Sequence, residues 1–390
     1  MPWPKGDVVL LRAEFSSLAL RGANIKQLCQ QFQISRKTGY KWIHRAEQST
    51  EANFEDQPKQ PHHIHYIISN EIKEKIITTR CLYPHWGAKK IKAYWLNHKE
   101  SVKLPSLGTI NKILFNEGLM LIHKNQRHTA YKRFEYAHPN ELWQMDFKGY
   151  FSLSDGSFCH PLTLIDDHSR YLLELQACPN ENFITVKEAL IVLFTRYGLP
   201  DAIALDNGGC WSPKSKQHWS ELTVWFMRLG IKVIHGKPYH PQSQGKDERL
   251  HRTLKMELLS ETSMKNLSDA QNKFDQWRYQ YNYIRPHEAL DLKPPATRYQ
   301  ISQRHFKKEL LPIQYLEGDI IRHLDVNGIL HVDARNISLS KALRNQPVAL
   351  RPSQDGKKLN IFFCQELIKS IKHPGGPIHQ GRGGVTHAPV

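Results

Sequence analysis

The sequence predicts a multidomain protein: helical at its start, an α/β unit with a mixed sheet in its middle, and a small β-barrel near its end. Three observations carry that expectation. Apolar residues recur at helical spacing through the first part of the chain, which implies helices packed on one face. Between residues 140 and 300, short apolar runs alternate with amphipathic stretches, the pattern of strands and helices layered in one unit. From residue 312 short strands are separated by turn pairs such as Asn327-Gly328 and Asp355-Gly356, the rhythm of a small barrel.

Residues 1–50 read as a helix-turn-helix domain. Ile25, Leu28 and Phe32 share one helical face, and Ser35 is placed to cap a following helix over 36–46. That second helix presents Arg36, Lys37, Thr38, Tyr40 and Lys41 near its start, where a recognition helix meets a DNA groove. Trp42 and Ile43 anchor it. The alternative is an ordinary helical hairpin with a basic face. A polar stretch with Pro58 and Pro61 then reads as a linker.

Residues 62–122 form a second helix-turn-helix-like domain, its last helix over 106–117 stopped at Gly118. Residues 123–139 carry Lys124, Arg127, Lys132 and Arg133 among few apolar residues, and read either as a basic connector lying on phosphates or as a solvated linker. In 140–300 strands are expected at 142–147, 158–165, 171–178, 202–205 and 231–234. Helices are expected at 185–197, 220–229, 246–260 and 267–283. The barrel occupies 312–372, and the Gly- and Pro-rich tail 373–390 reads as disordered.

Charge narrows the partners. Lys+Arg 54 against Asp+Glu 37 gives a net +17, which attracts polyanions and favours nucleic acid or an anionic surface. No run approaches the ~20 apolar residues of a membrane span, and the start Met1-Pro2-Trp3-Pro4 lacks the apolar core of a secretory signal. The six cysteines form no Cys-x-x-Cys, so a reducing, cytoplasmic setting is expected and neither a disulfide framework nor a zinc finger is. His62, His63 and His65 then belong to a solvated loop.

Three acids stand out. Asp146 interrupts the apolar run Trp143-Gln144-Met145-Asp146-Phe147, Asp206 follows the strand 202–205, and Glu248 opens a helix in Gly245-Lys246-Asp247-Glu248-Arg249. A carboxylate among apolar neighbours is costly unless paired or bound to a cation. Converging carboxylates with open positions suit Mg²⁺ or Mn²⁺ rather than zinc, and two such ions can activate a water or 3′-hydroxyl against a phosphodiester. Each acid also has a plain reading: a strand end, an Asp-Asn-Gly turn, a first-turn helix acid.

The words around these acids resemble those of bacterial insertion-sequence transposases of the retroviral-integrase-like DDE family. They are Asn140-Glu141-Leu142-Trp143-Gln144-Met145-Asp146-Phe147, Leu164-Ile165-Asp166-Asp167-His168-Ser169-Arg170-Tyr171, Leu205-Asp206-Asn207-Gly208 and His240-Pro241-Gln242-Ser243-Gln244-Gly245-Lys246-Asp247-Glu248-Arg249, closed by Tyr281-Asn282-Tyr283-Ile284-Arg285-Pro286-His287. The resemblance implies an RNase H-like catalytic core. It gives Asp146, Asp206 and Glu248 the catalytic and metal-binding roles, with two ions per site.

It further implies binding of element ends, 3′-end cleavage and strand transfer into target DNA, a homo-oligomer on DNA, association with the bacterial nucleoid, and no small-molecule cofactor. The interval from Asp206 to Glu248 is longer than is usual in that family, the excess falling around 212–220, where a surface insertion costs little. Consecutive helical residues diverge by ~100°, so only one of Asp247 and Glu248 faces the site, and the motif selects Glu248. Lys246 and Arg249 are expected to hold DNA phosphate, while Asp166 and Asp167 read as structural turn residues. The alternatives are a catalytically inactive, transposase-derived DNA-binding regulator and a nuclease that cuts without strand transfer.

Overall fold

The computed structural model describes residues 3, 7–48, 54–56, 68–98, 104–120, 135–206, 211, 219–235, 245–332 and 335–373. The chain forms two compact units, Met1–Ile67 and Ile68–Val390. The expected linker at 123–134, the tail from 374, the histidine cluster at 62–65 and most of the long segment after Asp206 lie outside the described residues.

The first unit is three helices, α1 (Val8–Leu20), α2 (Ile25–Gln31) and α3 (Arg36–Glu47). Asp7, Asn24 and Ser35 cap their starts by accepting backbone N–H groups that have no intrahelical partner. Phe15, Leu28, Cys29, Phe32, Ile34 and Ile43 form its core. Gly39 sits where an added Cβ would come 2.8 Å from the Cys29 sulfur and the Phe15 ring, so its lack of a side chain permits the α1–α3 approach. Arg36, Lys37, Tyr40 and Lys41 lie on the exposed face of α3, while Trp42 is buried under Arg12, Lys41 and Arg45.

The second unit opens with α4 (Asn70–Leu82), α5 (Ala88–Asn97) and α6 (Leu107–Asn116), packed around Ile76, Trp86, Ile91, Ile110 and Leu114. This bundle is docked on the region around residues 261–292. Ile284 packs against it, Asn97 donates to the Leu292 carbonyl at 2.9 Å, and His85 lies 3.3 Å from Glu261.

The mixed sheet is built from β1 (Leu142–Phe147), β2 (Phe151–Ser152), β3 (Phe158–Asp166), β4 (Leu172–Cys178), β5 (Ala202–Leu205) and β6 (Lys232–His235). β1 lies between β3, which is antiparallel to it, and β5, which is parallel; β6 extends the parallel side and β4 covers the other edge of β3. Side chains alternate across a strand. Trp143 and Met145 therefore join Leu162 and Leu164 under α7 (Phe183–Tyr197) and α8 (Glu221–Arg228). Ile165, Leu172 and Leu175 pack on the opposite face against α9 (Gly245–Leu254) and α10 (Leu267–Tyr279). Both α9 and α10 run on into a π-turn, Lys255–Leu259 and Gln280–Ile284. Helix α7 ends at Gly198, whose φ of 76° and crowding by the Ser302 and Arg304 carbonyls suit glycine.

Among the described residues the C-terminal strands do not close into the expected small barrel. The strands β7 (Ile320–His323), β10 (Pro347–Pro352), β11 (Lys358–Phe363) and β12 (Glu366–Lys372) form an open antiparallel sheet, and β8 (Ile329–Val332) with β9 (Arg335–Ser338) forms a separate hairpin. A barrel must seal its own interior. Here Leu330, Val332, Val348, Leu350, Ile361 and Phe363 share one core with Val224 and Met227 of α8, so α8 supplies the wall that closure would have supplied.

Candidate active site at the centre of the mixed sheet

Parallel pairing of β1 and β5 sets Met145 opposite Leu205. The next residues on the two strands, Asp146 and Asp206, are thereby brought together from distant parts of the chain. Alternation turns Asp146 away from the Trp143–Met145 face and toward α9. Its side chain keeps about a quarter of its exposure, 27%. Burial, then the neighbouring Asp206 charge, push its carboxyl up to about 7. Lys148 opposes this only as a lesser influence.

The groups around Asp146 do not neutralise it. His251 on α9 places Nδ1 3.8 Å from an Asp146 oxygen, but burial and Lys148 push the imidazole down to about 4, so it is neutral. Its Nε2 meets the Thr163 hydroxyl at 2.8 Å, and that hydroxyl donates to the Asp146 carbonyl at 3.0 Å. Burial likewise pushes His235, at the end of β6 beside Asp206, downward. The indole N–H of Trp211, fully buried, donates to an Asp206 carboxylate oxygen, while its ring stacks on Phe147 at 5.3 Å.

The third acid is placed differently from its partners. The inward face of α9 is Asp247, Leu250, His251 and Leu254, and Glu248 lies on the exposed side. The motif assigns the inward position to Glu248; the structure buries Asp247 to 2% and leaves its Oδ1 without a hydrogen-bond partner among the described residues. Burial, then the charges of Asp146 and Asp167, raise the Asp247 carboxyl well above the usual range. Among the described residues no three His, Cys, Asp or Glu side chains meet in one cluster. Segment 236–244, which leads into α9, lies outside the described residues.

Lys246, expected to hold phosphate, pairs instead with buried Asp167. Arg249 makes an exposed bridge to Glu288 at 3.3 Å. Asp166 accepts from the Asn140 N–H and from the Ser169 N–H and hydroxyl, while Asp167 accepts from the Tyr136 N–H and the Gln144 amide as well as from Lys246. Sequence reasoning missed Trp211, His251 and the burial of Asp247. For the last two a signal existed: positions 247, 250, 251 and 254 follow the i, i+3, i+4, i+7 stripe of a buried helix face.

A mixed sheet that sets two acids side by side, with an acid-bearing helix across its face, defines an integrase-type core. Family models agree, those described as integrase core domains matching residues 137–241 and 229–295. A helix-turn-helix domain matches 11–62 and a homeodomain-like domain 38–114. Residues 137–295 thus match integrase core domains, and the chain is similar to insertion-element proteins. It is 27% identical over 158 residues to a 39.2 kDa protein of insertion element IS476 from Xanthomonas euvesicatoria, covering 40% of this chain and 44% of that one. It is 37% identical over 118 residues to the Gag-Pro-Pol polyprotein of Mason-Pfizer monkey virus, covering 30% of this chain and 6% of that one. The chain thus spans less than half the length of either relative. The catalytic core of BIV integrase aligns over 40% of this chain and 92% of its own, at 25% identity and a TM-score of 0.31.

Proposed function

We propose that the chain is a DDE transposase that binds the ends of a mobile element, cleaves their 3′ strands and joins them to target DNA. The observation that carries this reading is the placement of Asp146 beside Asp206 at the ends of the paired strands β1 and β5, where burial and then the Asp206 charge push Asp146 up to about 7. Two carboxylates held against each other beside neutral imidazoles form an oxygen-rich, electronegative site that suits a hard divalent cation. Asp146, Asp206 and Glu248 are the residues to hold Mg²⁺ or Mn²⁺, with Glu248 supplied from the exposed side of α9. When bound, two such ions supply Lewis-acid activation of a water or 3′-hydroxyl and stabilise the leaving oxygen of a phosphodiester.

The protein's own groups have distinct tasks. Trp211 holds one Asp206 oxygen in a fixed orientation. His251, tied to Thr163, packs beside Asp146 without adding charge. The Asp167–Lys246 pair fastens the start of α9 to the sheet. Arg36, Lys37, Tyr40 and Lys41 on α3 supply contacts to duplex DNA, and Arg249 contacts phosphate once its exposed bridge to Glu288 opens. Assembly as a homo-oligomer on DNA follows from the need to bring two element ends together.

The test is incubation of the full chain with its own flanking element ends, Mg²⁺ and a plasmid target. Cleaved and joined strands are expected with Mg²⁺ and none with chelator. Asp206→Asn is expected to keep specific binding and lose cleavage; full activity in that variant refutes the enzymatic assignment. Absence of cleavage by the parent protein favours the inactive regulator, and cleavage without joining favours the nuclease.

A further inference from the structure

Beside the acids, the start of β2 and the end of α9 enclose a trough of about 480 Å³ that catalysis by the carboxylates does not use. Its far end is shut where the Ser154 hydroxyl donates to the Met264 carbonyl and the Asp155 N–H to the Lys265 carbonyl. Its near end carries Lys148, whose charge is felt by both Asp146 and His251. Lys255 lines the opposite wall among serines and a threonine, and no carboxylate is among the described lining residues.

Tyr150 is the solvent-facing ring of the trough lining, and Phe158 lies beside it, outside that lining. Tyr150 is 69% exposed and Phe158 48% exposed, yet their rings meet edge to face at 5.5 Å, and His160 lies 5.4 Å from Tyr150. Gly149, with φ of 84°, turns the chain so that Tyr150 stands off the sheet. Large rings held out in water gain nothing from the core. The exposed face of Tyr150, with Lys148 and Lys255 in the same trough, suits a flat partner carried on an anionic backbone.

We propose that this trough binds single-stranded DNA, one unpaired base stacking on Tyr150, whose ring Phe158 braces edge to face, while Lys148 and Lys255 take its phosphates. The proposal rests on the reading of the neighbouring acids as a DNA-cleaving site, because such a site must handle a strand separated from its complement. A cationic channel with aromatic steps is the general solution for holding single strands without reading sequence. Stacking persists at high salt, whereas phosphate contacts weaken as counterions compete.

The test uses the full chain and a short fluorescein-labelled oligothymidylate, followed by anisotropy across a salt series. Tyr150→Ala is expected to lower affinity about 5- to 100-fold at high salt, the effect of losing one stacked base, while Tyr150→Phe retains binding. Lys148→Ala is expected to reduce the dependence of log affinity on log salt by about one unit. Unchanged high-salt affinity in Tyr150→Ala overturns the proposal. So does a Tyr150→Ala variant that alters only the sedimentation of the DNA-free chain, because the rim is then a contact between copies. Asp206→Asn leaves the trough intact, so its cleavage defect and the Tyr150 binding defect are read separately.

Discussion

Two pairs of aspartates lie in the same sheet and are treated in opposite ways. Asp166 and Asp167, at the end of β3, are more deeply buried than Asp146, at 0% and 1% exposure. Each is nonetheless surrounded by donors: backbone N–H groups, a hydroxyl, an amide and one ammonium. Asp146, by contrast, faces another carboxylate and a neutral imidazole, and nearby Asp247 keeps an unpartnered oxygen. A buried acid that shapes the fold is supplied with hydrogen bonds on the spot. An acid left facing other acids is stable only by staying protonated or by gaining a cation, which supports the proposed catalytic role of Asp146 over a scaffold role.

This contrast can be broken or sharpened by substitution. The largest effect is expected for Asp206→Asn, which lowers cleavage by roughly 10³-fold or more, the scale on which loss of a group stabilising developing charge acts, while leaving the melting temperature unchanged or raised. Asp167→Ala reverses the pattern. It strands Lys246 beside Arg170 and costs about 3–5 kcal/mol in denaturant unfolding, as breaking a buried pair does. A neutral outcome there removes Asp167 from the scaffold.

Trp211→Phe keeps the stack on Phe147 and deletes the N–H that orients Asp206. Mn²⁺ affinity by titration calorimetry and cleavage are each expected to fall about 10- to 100-fold, with the fold intact by circular dichroism. The smallest effect concerns Asp247. Its folded carboxyl titrates above its unfolded value, so between those two the native state binds more protons and stability falls as pH rises. Asp247→Asn cannot titrate. In chelator, its melting temperature is expected to drop less than the parent's between about pH 5 and about pH 8, by a few degrees. Parallel curves would show that Asp247 is not the strained group.

The elements of the sheet were legible because the runs 142–147, 158–165 and 202–205 are apolar and carry or lead into an aspartate, and the cap Ser35 announces its helix. Strand β2, two residues long, has no periodicity to find. The open C-terminal sheet read as a barrel because alternation reports that one face is covered, never what covers it. The partner of Lys246 lies 79 residues away, and Trp211, though only 5 residues from Asp206, is set by its stack on distant Phe147. Asp247 was legible from its helical stripe, but motif matching outweighed that pattern.

The sheet formed by β7, β10, β11 and β12 leans on α8 through Val224 and Met227. A fragment cut off near residue 311 would leave those two side chains facing water with their lid removed. Such a fragment would keep Asp146, Asp206 and Glu248 and still cling to its own kind, so that lost activity in a shortened protein reports stickiness rather than absent chemistry.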